Sequence, residues 1–322
     1  MNLNWAECTR ISDNWIKSYL NSHELHTDAK INVRSYSLKF SGTQYQIMGF
    51  IDGIIDHIKQ FVFPPEEIRR FETDGIDVYR RAMSYFGDTN PENDGKYGEL
   101  LLYMLTESVL QAPMVAHKMT LLTNTRDQVK GGDGIFFGEY NGINSLFIGE
   151  SKIEIEATTA ITHALGSIER FHSNLETTSQ FQHELIIASQ ILRQDLTPEQ
   201  LDYLYDSFTP KTETYKNNNL VHPILIIYED SYIGDIEVAC SGNLDGESRL
   251  SDRMRKRIPE LMRNIQSKIL NHSKVKTVFL EFFFLPTTSV KQLRHTMYQA
   301  IHGVAYIPQN PTAKTKEKSG RD

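Results

Sequence analysis

The stretch that decides the fold is Lys130–Lys152, which reads KGGDGIFFGEYNGINSLFIGESK. Two short apolar runs, IFF and SLFI, flank a turn rich in Asn and Gly, and this pattern is typical of a β-hairpin. Asp133 precedes the first strand, and the triplet Glu150, Ser151 and Lys152 ends the second. Two explanations fit these charges: the solvated rim of an ordinary strand, or a metal site.

Strand geometry favours a site. Side chains two residues apart point to the same face, so Glu150 and Lys152 project together. If the hairpin is antiparallel, Asp133 lies next to both of them. Two neighbouring carboxylates repel each other unless a divalent cation lies between them, and oxygen ligands suit Mg²⁺ or Mn²⁺. The Ser151 carbonyl is a candidate further metal ligand. Lys152 would then position the attacking water, or stabilise the charge that develops on a phosphodiester during hydrolysis.

A further acid, Glu99, stands in the apolar helical segment YGELLLYMLTESVLQA. An acid in such a segment is costly unless it is paired or bound to a metal. Helical spacing joins it to Tyr103, Thr106 and Glu107 in one polar stripe. The stripe either faces solvent or contributes to the site, and helical geometry alone leaves both open.

Other charged residues have plain explanations beside functional ones. Glu154 and Glu156 continue the strand alternation, as a solvated face would, and Glu281 lies in an apolar strand without an assigned role. The densest basic cluster is either a solvated helix face or a surface that tracks DNA. With His163, which lies in the helix after the triplet, it makes up the candidate nucleic-acid contacts: Arg253, Arg255, Lys256, Arg257 and His163.

The remaining pattern predicts an α/β fold with a mixed sheet flanked by helices. Strands are expected at 35–40, 43–48, 222–229 and 275–286. Helices are expected at 49–61, 64–71, 77–86, 97–112, 157–175, 183–194, 249–271 and 289–303, and Pro259 should kink or divide the one that contains it. The segment GDTNPENDGK, residues 87–96, has the composition of a loop and a domain boundary.

Composition narrows the class of protein. No run of about 18 apolar residues occurs, so no membrane-spanning helix is expected. The N-terminus lacks the layout of a signal peptide, and two distant cysteines fit a reducing cytoplasm. The formal net charge of −7 does not indicate a protein that binds DNA tightly by itself. It leaves room for a local basic surface or for a partner that brings the DNA.

The order of a helical Glu, then GGDG, then GESK before a helix resembles the PD-(D/E)xK nuclease superfamily. Within it, the run YGELLLYMLTESVLQAP…VKGGDGIFFG…LFIGESK is similar to the nuclease subunit of the Hachiman anti-phage defence system, most clearly from Tyr97 to about Arg170. Gly132 stands where the name-giving proline of the superfamily would be. No Gln-x-x-x-Tyr follows Lys152, so no role is carried over from that motif.

This resemblance implies a restriction-endonuclease-like core whose catalytic set is Glu99, Asp133, Glu150 and Lys152. The three acids and Ser151 would hold Mg²⁺ or Mn²⁺. The resemblance also implies a superfamily 2 DNA helicase as partner and DNA as substrate. The alternative is a regulatory or scaffold subunit that binds and restrains the helicase. The predicted divisions are an N-terminal α+β region at 1–90 for partner binding or gating, the nuclease domain at 91–303, and a disordered tail at 304–322.

Overall fold

A computed structural model describes residues 4–87, 90–116, 133–177, 196–209 and 212–308. The helix predicted at 183–194 lies outside these ranges, as does most of the tail predicted at 304–322. None of the helices in the described ranges combines the length and the apolar character that crossing a membrane requires.

Ten strands are described: β1 Leu20–Ser22, β2 His26–Asp28, β3 Ile31–Leu38, β4 Phe40–Ser41, β5 Gln44–Tyr45, β6 Met114–Ala116, β7 Gly134–Tyr140, β8 Ile143–Ile153, β9 Asn219–Glu229 and β10 Phe279–Thr287. The described α-helices are α1 Asn14–Tyr19, α2 Ile47–Ile55, α3 Ile58–Val62, α4 Pro65–Thr73, α5 Val78–Phe86, α6 Lys96–Leu110, α7 Ala157–Thr177, α8 Pro198–Phe208, α9 Glu213–Asn217, α10 Tyr232–Ala239, α11 Asn243–Ile269 and α12 Val290–His302.

The predicted hairpin is confirmed. β7 and β8 pair antiparallel from Gly134 opposite Gly149 to Tyr140 opposite Ile143. The two connecting residues, Asn141 and Gly142, have φ values of 54° and 77°. A two-residue turn with positive φ at both positions matches the twist of the flanking strands, and Asn-Gly is the sequence that adopts it most readily.

The hairpin forms one side of a mixed sheet with the order β1-β3-β10-β9-β8-β7-β6, and β2 also pairs with β3. β3, β10, β9 and β8 run parallel, whereas β7 and β6 are antiparallel to their neighbours. β9 and β10 are almost entirely buried, as expected for parallel strands covered on both faces. The predicted mixed α/β architecture is therefore confirmed.

Two helices cover opposite faces of β8. On one face, Gly98 of α6 packs against Ser151 and Ile153. On the other face, His163 of α7 contacts Glu154, two residues beyond Lys152. Because successive residues of a strand point to opposite faces, the end of β8 lies between the two helices, with Ser151 toward α6 and Glu150 toward Ser167 of α7.

Three sequence predictions differ from the structure. The single helix expected at 49–61 is two helices, α2 and α3, with a turn at residues 56–57 between them. The strand expected at 43–48 is limited to Gln44–Tyr45, because α2 already begins at Ile47. α11 runs without interruption from Asn243 to Ile269 and includes Pro259, so the proline does not divide it. The apolar side of α11 is buried along its length, for example at Leu250, Ile258 and Ile265. This packing stabilises the helix across the position where the proline lacks an N–H.

Candidate active site

Asp133 lies directly before β7 and is bonded to the triplet at the end of β8. Its backbone N–H donates to the Gly149 carbonyl at 2.8 Å. The backbone N–H and the hydroxyl of Ser151 both donate to Asp133 Oδ2, each at 2.7 Å. The hairpin thus places Asp133 beside the triplet, as strand pairing predicted, and the two donors fix the orientation of its carboxylate.

Glu150 and Lys152 share one face of β8, as predicted from strand parity. The Lys152 ammonium donates to Glu150 Oε1, and their side chains are 25% and 12% exposed, with Glu150 the more buried. Within the described residues, the pairing of β7 with β8 ends at Gly149, whereas β9 pairs with β8 as far as Ile153. In the described part of the chain, the end of β8 therefore has one edge without a paired strand, and Asp133 lies at that edge.

The electrostatics of this edge oppose the charge on Glu150. Burial, followed by the nearby charge of Asp133, raises the pKa of Glu150 to about 7, although bonds from Lys152 and Ser167 act in the opposite direction. Burial by itself would lower the pKa of Lys152, but the contact with Glu150 outweighs it and the pKa of Lys152 is raised. Two acids and one ammonium therefore share an environment that would favour a further positive charge.

Glu99 lies in the first turn of α6 and follows Gly98, which packs against the triplet. Its neighbour Gly98 leaves so little space that a Cβ there would come within 2.8 Å of Ser151 Oγ. Glu99 is buried, with 8% of its surface exposed. The close approach of α6 to β8 places the first turn of α6 at this end of the strand, and the Glu99 side chain interacts electrostatically with Tyr85.

The polar stripe of α6 does not face solvent, so that alternative is wrong. Tyr103, Thr106 and Glu107 are all buried. Glu107 accepts hydrogen bonds from the backbone N–H groups of Arg10, Ile11 and Met114, at 2.6, 3.2 and 3.0 Å. This lower part of the stripe anchors the N-terminal segment and the strand after α6, which is a structural role.

The described residues contain no group of three Asp, Glu, His or Cys side chains close enough to hold one metal ion. Asp133 and Glu150 interact electrostatically, whereas Glu99 does not complete a group of three with them. Of the three predicted acids, Asp133 and Glu150 lie close enough to interact electrostatically.

The predicted nucleic-acid contacts of the basic cluster are bonded to acidic side chains. Arg253 donates to both carboxylate oxygens of Asp230, at 3.1 and 3.4 Å. Arg255 and Arg257 donate to Asp252 and Glu260, at 2.7 and 2.8 Å. Each of these three arginines therefore has an acidic partner, and Lys256 is exposed next to them.

His163 lies on α7, apart from the basic cluster. Its Nδ1 is 2.6 Å from Glu154 Oε1. Glu154 thereby belongs to a pair between β8 and α7, and Glu156 lies at the start of α7, where Thr159 donates to it at 3.4 Å. Neither acid simply faces solvent without a contact.

Sequence reasoning missed two residues of α7 that reach the site. Ser167 donates a hydrogen bond to Glu150, and Arg170 Nη2 donates to Ser167 Oγ at 3.0 Å. The available signal was the spacing of His163, Ser167 and Arg170, which lie four and three residues apart and so share one face of a helix.

Comparison with known proteins identifies the family of the chain. No curated protein matches the chain. The family model HamA, by contrast, matches residues 11–301, which includes the hairpin, both flanking helices and the parallel strands. The chain therefore belongs to the HamA family, the Hachiman protein A-like proteins of anti-phage defence.

Proposed function

We propose that this chain is a metal-dependent nuclease that hydrolyses DNA phosphodiester bonds in Hachiman defence, together with a superfamily 2 helicase. The observation that carries the proposal is the convergence of Asp133, Glu150 and Lys152 at the end of β8. The order of α6, the β7–β8 hairpin and α7 follows the order of motifs by which the sequence resembles the PD-(D/E)xK superfamily, and this supports a core of that kind.

The donor set fits Mg²⁺ or Mn²⁺. Asp133 and Glu150 supply carboxylate oxygens, and Mg²⁺ is commonly held by one or two carboxylates together with substrate phosphate and water. The repulsion that raises the pKa of Glu150 is the interaction that a cation between the two acids would remove. The Ser151 carbonyl is proposed as a further ligand, and Glu99, which forms no group of three with the two acids, is proposed to act through a coordinated water. When bound, the cation would stabilise charge on the phosphate and lower the pKa of a coordinated water.

The protein side chains have separate roles in this proposal. Ser151 holds the Asp133 carboxylate in one orientation through two hydrogen bonds. Lys152 stays protonated beside Glu150 and directs its ammonium toward the reacting phosphate, where negative charge increases during attack.

The test compares the wild type with Lys152→Ala, each purified with its helicase partner and incubated with DNA, ATP and Mg²⁺. We expect DNA degradation to fall at least about a hundredfold, since removing one charged donor from a transition state typically has this effect. Lys216→Ala is the matched control, because Lys216 is an exposed lysine paired with Glu213. Equal degradation by wild type and Lys152→Ala would contradict the proposal.

The same experiment decides the second candidate function, a scaffold subunit that binds and restrains the helicase. One observation favours it: the described residues do not form a ready group of three metal ligands. A scaffold predicts that Lys152→Ala changes neither degradation nor helicase binding. If the variant binds the helicase normally but loses degradation, the scaffold function is excluded.

A further inference from the structure

The surface beside α2 and α10 presents two strongly exposed apolar side chains. Met48, in the first turn of α2, is 57% exposed, and Val238, in the last turn of α10, is 90% exposed. Both line one surface groove, together with β5 and the residues around the start of α12. Single exposed apolar residues are common on a protein surface, but two that share a groove indicate a place where another molecule binds.

The charged groups at this groove are acidic. Among the described residues that line it, Glu237 is the one that carries a charge, and its carboxylate accepts a hydrogen bond from a backbone N–H of β5 at 2.8 Å. Asp52 is exposed and lies one turn after Met48 on α2. Asp235 is exposed and lies three residues before Val238 on α10. Over the described ranges, none of these three acids is paired with a lysine, arginine or histidine, so an apolar centre has an acidic rim.

This chemistry discriminates between the possible occupants of the groove. A nucleic-acid backbone requires cations that neutralise its phosphates, and no described lining residue supplies one. An anionic membrane surface is repelled in the same way. A second copy of the chain would place the patch against itself across a two-fold axis, so that acids would face acids. A partner protein whose apolar side chains are flanked by lysines and arginines matches both the centre and the rim.

The groove lies at the same end of the sheet as the proposed site. Thr288 directly follows β10 and lines both this groove and a second one. The second groove is also lined by Ile155 and Glu156, which come three and four residues after Lys152. Because β8, β9 and β10 run parallel, their carboxyl ends lie at one edge of the sheet, where ligands of α/β proteins commonly bind. A partner in the first groove would therefore lie at the edge where β8 ends.

We propose that the groove between α2, α10 and the start of α12 docks a partner protein whose apolar side chains are flanked by lysines and arginines. This docking rests on the proposed function, which supplies the helicase as the partner. Met48 and Val238 provide the apolar contact, and Asp52, Asp235 and Glu237 provide the electrostatic attraction. A helicase held in this groove delivers DNA to the carboxyl edge of the sheet.

The test measures the dissociation constant between the full-length chain and the purified helicase by biolayer interferometry, without DNA or ATP. Val238→Ser removes the apolar contact from a side chain that is almost fully exposed, so the fold does not depend on it. We expect binding to weaken at least about fivefold, the loss that marks an energetically important interface residue. Leu270→Ser is the matched control, because Leu270 is 70% exposed at the C-terminal end of α11, and its affinity should equal that of the wild type.

A second variant tests the charge of the rim. Asp52→Lys combined with Asp235→Lys reverses two exposed acids. We expect the association rate constant to fall at least about tenfold at low salt, and the difference from the wild type to shrink as salt is added. Asp202→Lys combined with Asp206→Lys is the control, since both acids are exposed on α8, which does not line the groove, and should leave the rate constant unchanged.

Three results would overturn the docking surface. One is a helicase affinity of Val238→Ser equal to that of the wild type, and another is an equal loss in Leu270→Ser. The third is a wild-type chain that does not bind the helicase. If Val238→Ser keeps its helicase affinity but loses a self-association that the wild type shows in sedimentation equilibrium, the groove binds a second copy instead.

Degradation separates a failure of this docking surface from a failure of the proposed function. At saturating helicase, Val238→Ser should degrade DNA as the wild type does, whereas Lys152→Ala should not. Degradation by Lys152→Ala together with weakened binding by Val238→Ser would reject the nuclease and support the docking surface. Normal binding by Val238→Ser together with loss of degradation in Lys152→Ala would reject the docking surface alone.

Discussion

At the scale of single residues, Glu150 has the most informative surroundings. Burial and the Asp133 carboxylate both oppose its charge, while Lys152 and Ser167 partly compensate. A carboxyl group that is destabilised in this way lowers the stability of the folded chain when it ionises. The proposed site is therefore maintained at a cost in stability, and this cost has a measurable pH dependence.

The first prediction concerns that pH dependence. In EDTA, the folded chain keeps the Glu150 proton between about pH 4.5, the ordinary pKa of Glu, and about pH 7. The unfolded chain has lost it there, so the Glu150 contribution to the free energy of unfolding decreases as pH rises through this window. Glu150→Gln should flatten this decrease in urea titrations at a series of pH values. Parallel curves for wild type and variant would contradict the pKa assignment.

A second prediction concerns Glu281, to which sequence reasoning could assign no role. Its fully buried carboxylate accepts from Tyr140, Asn32 and Arg34, at 2.6, 2.5 and 3.0 Å. Removing one partner from a buried polar network leaves the other groups unsatisfied. We expect Glu281→Ala to lower the free energy of unfolding by about 3 kcal/mol in urea titrations. An unchanged urea midpoint of unfolding would show that this network does not stabilise the mixed sheet.

At the scale of elements, the contact between α6 and β8 positions the site. The third prediction is that Gly98→Ala separates them, because a Cβ would lie 2.8 Å from Ser151 Oγ and 3.1 Å from Ser151 Cβ. Stability should fall by about 1–3 kcal/mol, with a loss of DNA degradation. The matched control is Gly234→Ala in α10, where a Cβ meets nothing within 4 Å. There, higher helix propensity should raise stability by up to about 1 kcal/mol. Equal effects of the two substitutions would contradict the role of the contact.

A fourth prediction concerns Arg294 of α12. Its guanidinium donates to the Glu92 carbonyl before α6 and to the Ile153 carbonyl at the end of β8, the latter at 3.1 Å. Arg294→Ala should increase hydrogen exchange at residues 90–96 and reduce degradation, because the start of α6 would no longer be tied to β8. Lys291→Ala is the control, since Lys291 contacts the side chain of Glu92 and not its carbonyl. If Arg294→Ala and Lys291→Ala show equal hydrogen exchange at residues 90–96, Arg294 does not connect the start of α6 to β8.

Much of this arrangement of elements could be predicted from the sequence, because it depends on residues that are close together in the chain. Asn141-Gly142 specifies the turn, strand alternation specifies the face of Glu150 and Lys152, and antiparallel pairing then places Asp133. The contacts of Ser167 and Arg294 could not be predicted in the same way. They join elements distant in sequence, and their geometry depends on how helices pack on the sheet.

At the scale of the whole molecule, the sheet includes a strand from the N-terminal region. Ile31–Ser35 of β3 pairs in parallel with Leu280–Phe284 of β10. The fifth prediction is that removal of residues 1–90 exposes the edge of β10 and yields an insoluble chain. Solubility and circular dichroism of the truncated chain measure this outcome. A soluble and folded truncated chain would support the predicted separation of a region at 1–90 from a nuclease domain at 91–303.

The most direct test of the proposed site is the position of a bound cation. Crystals of the Lys152→Ala chain, which should bind but not cleave DNA, would be grown with a short duplex and Mn²⁺, and the anomalous signal of manganese measured. The account predicts a peak in contact with the carboxylates of Asp133 and Glu150, lost when Asp133→Asn is added. No peak, or a peak whose ligands are other residues, would contradict the account.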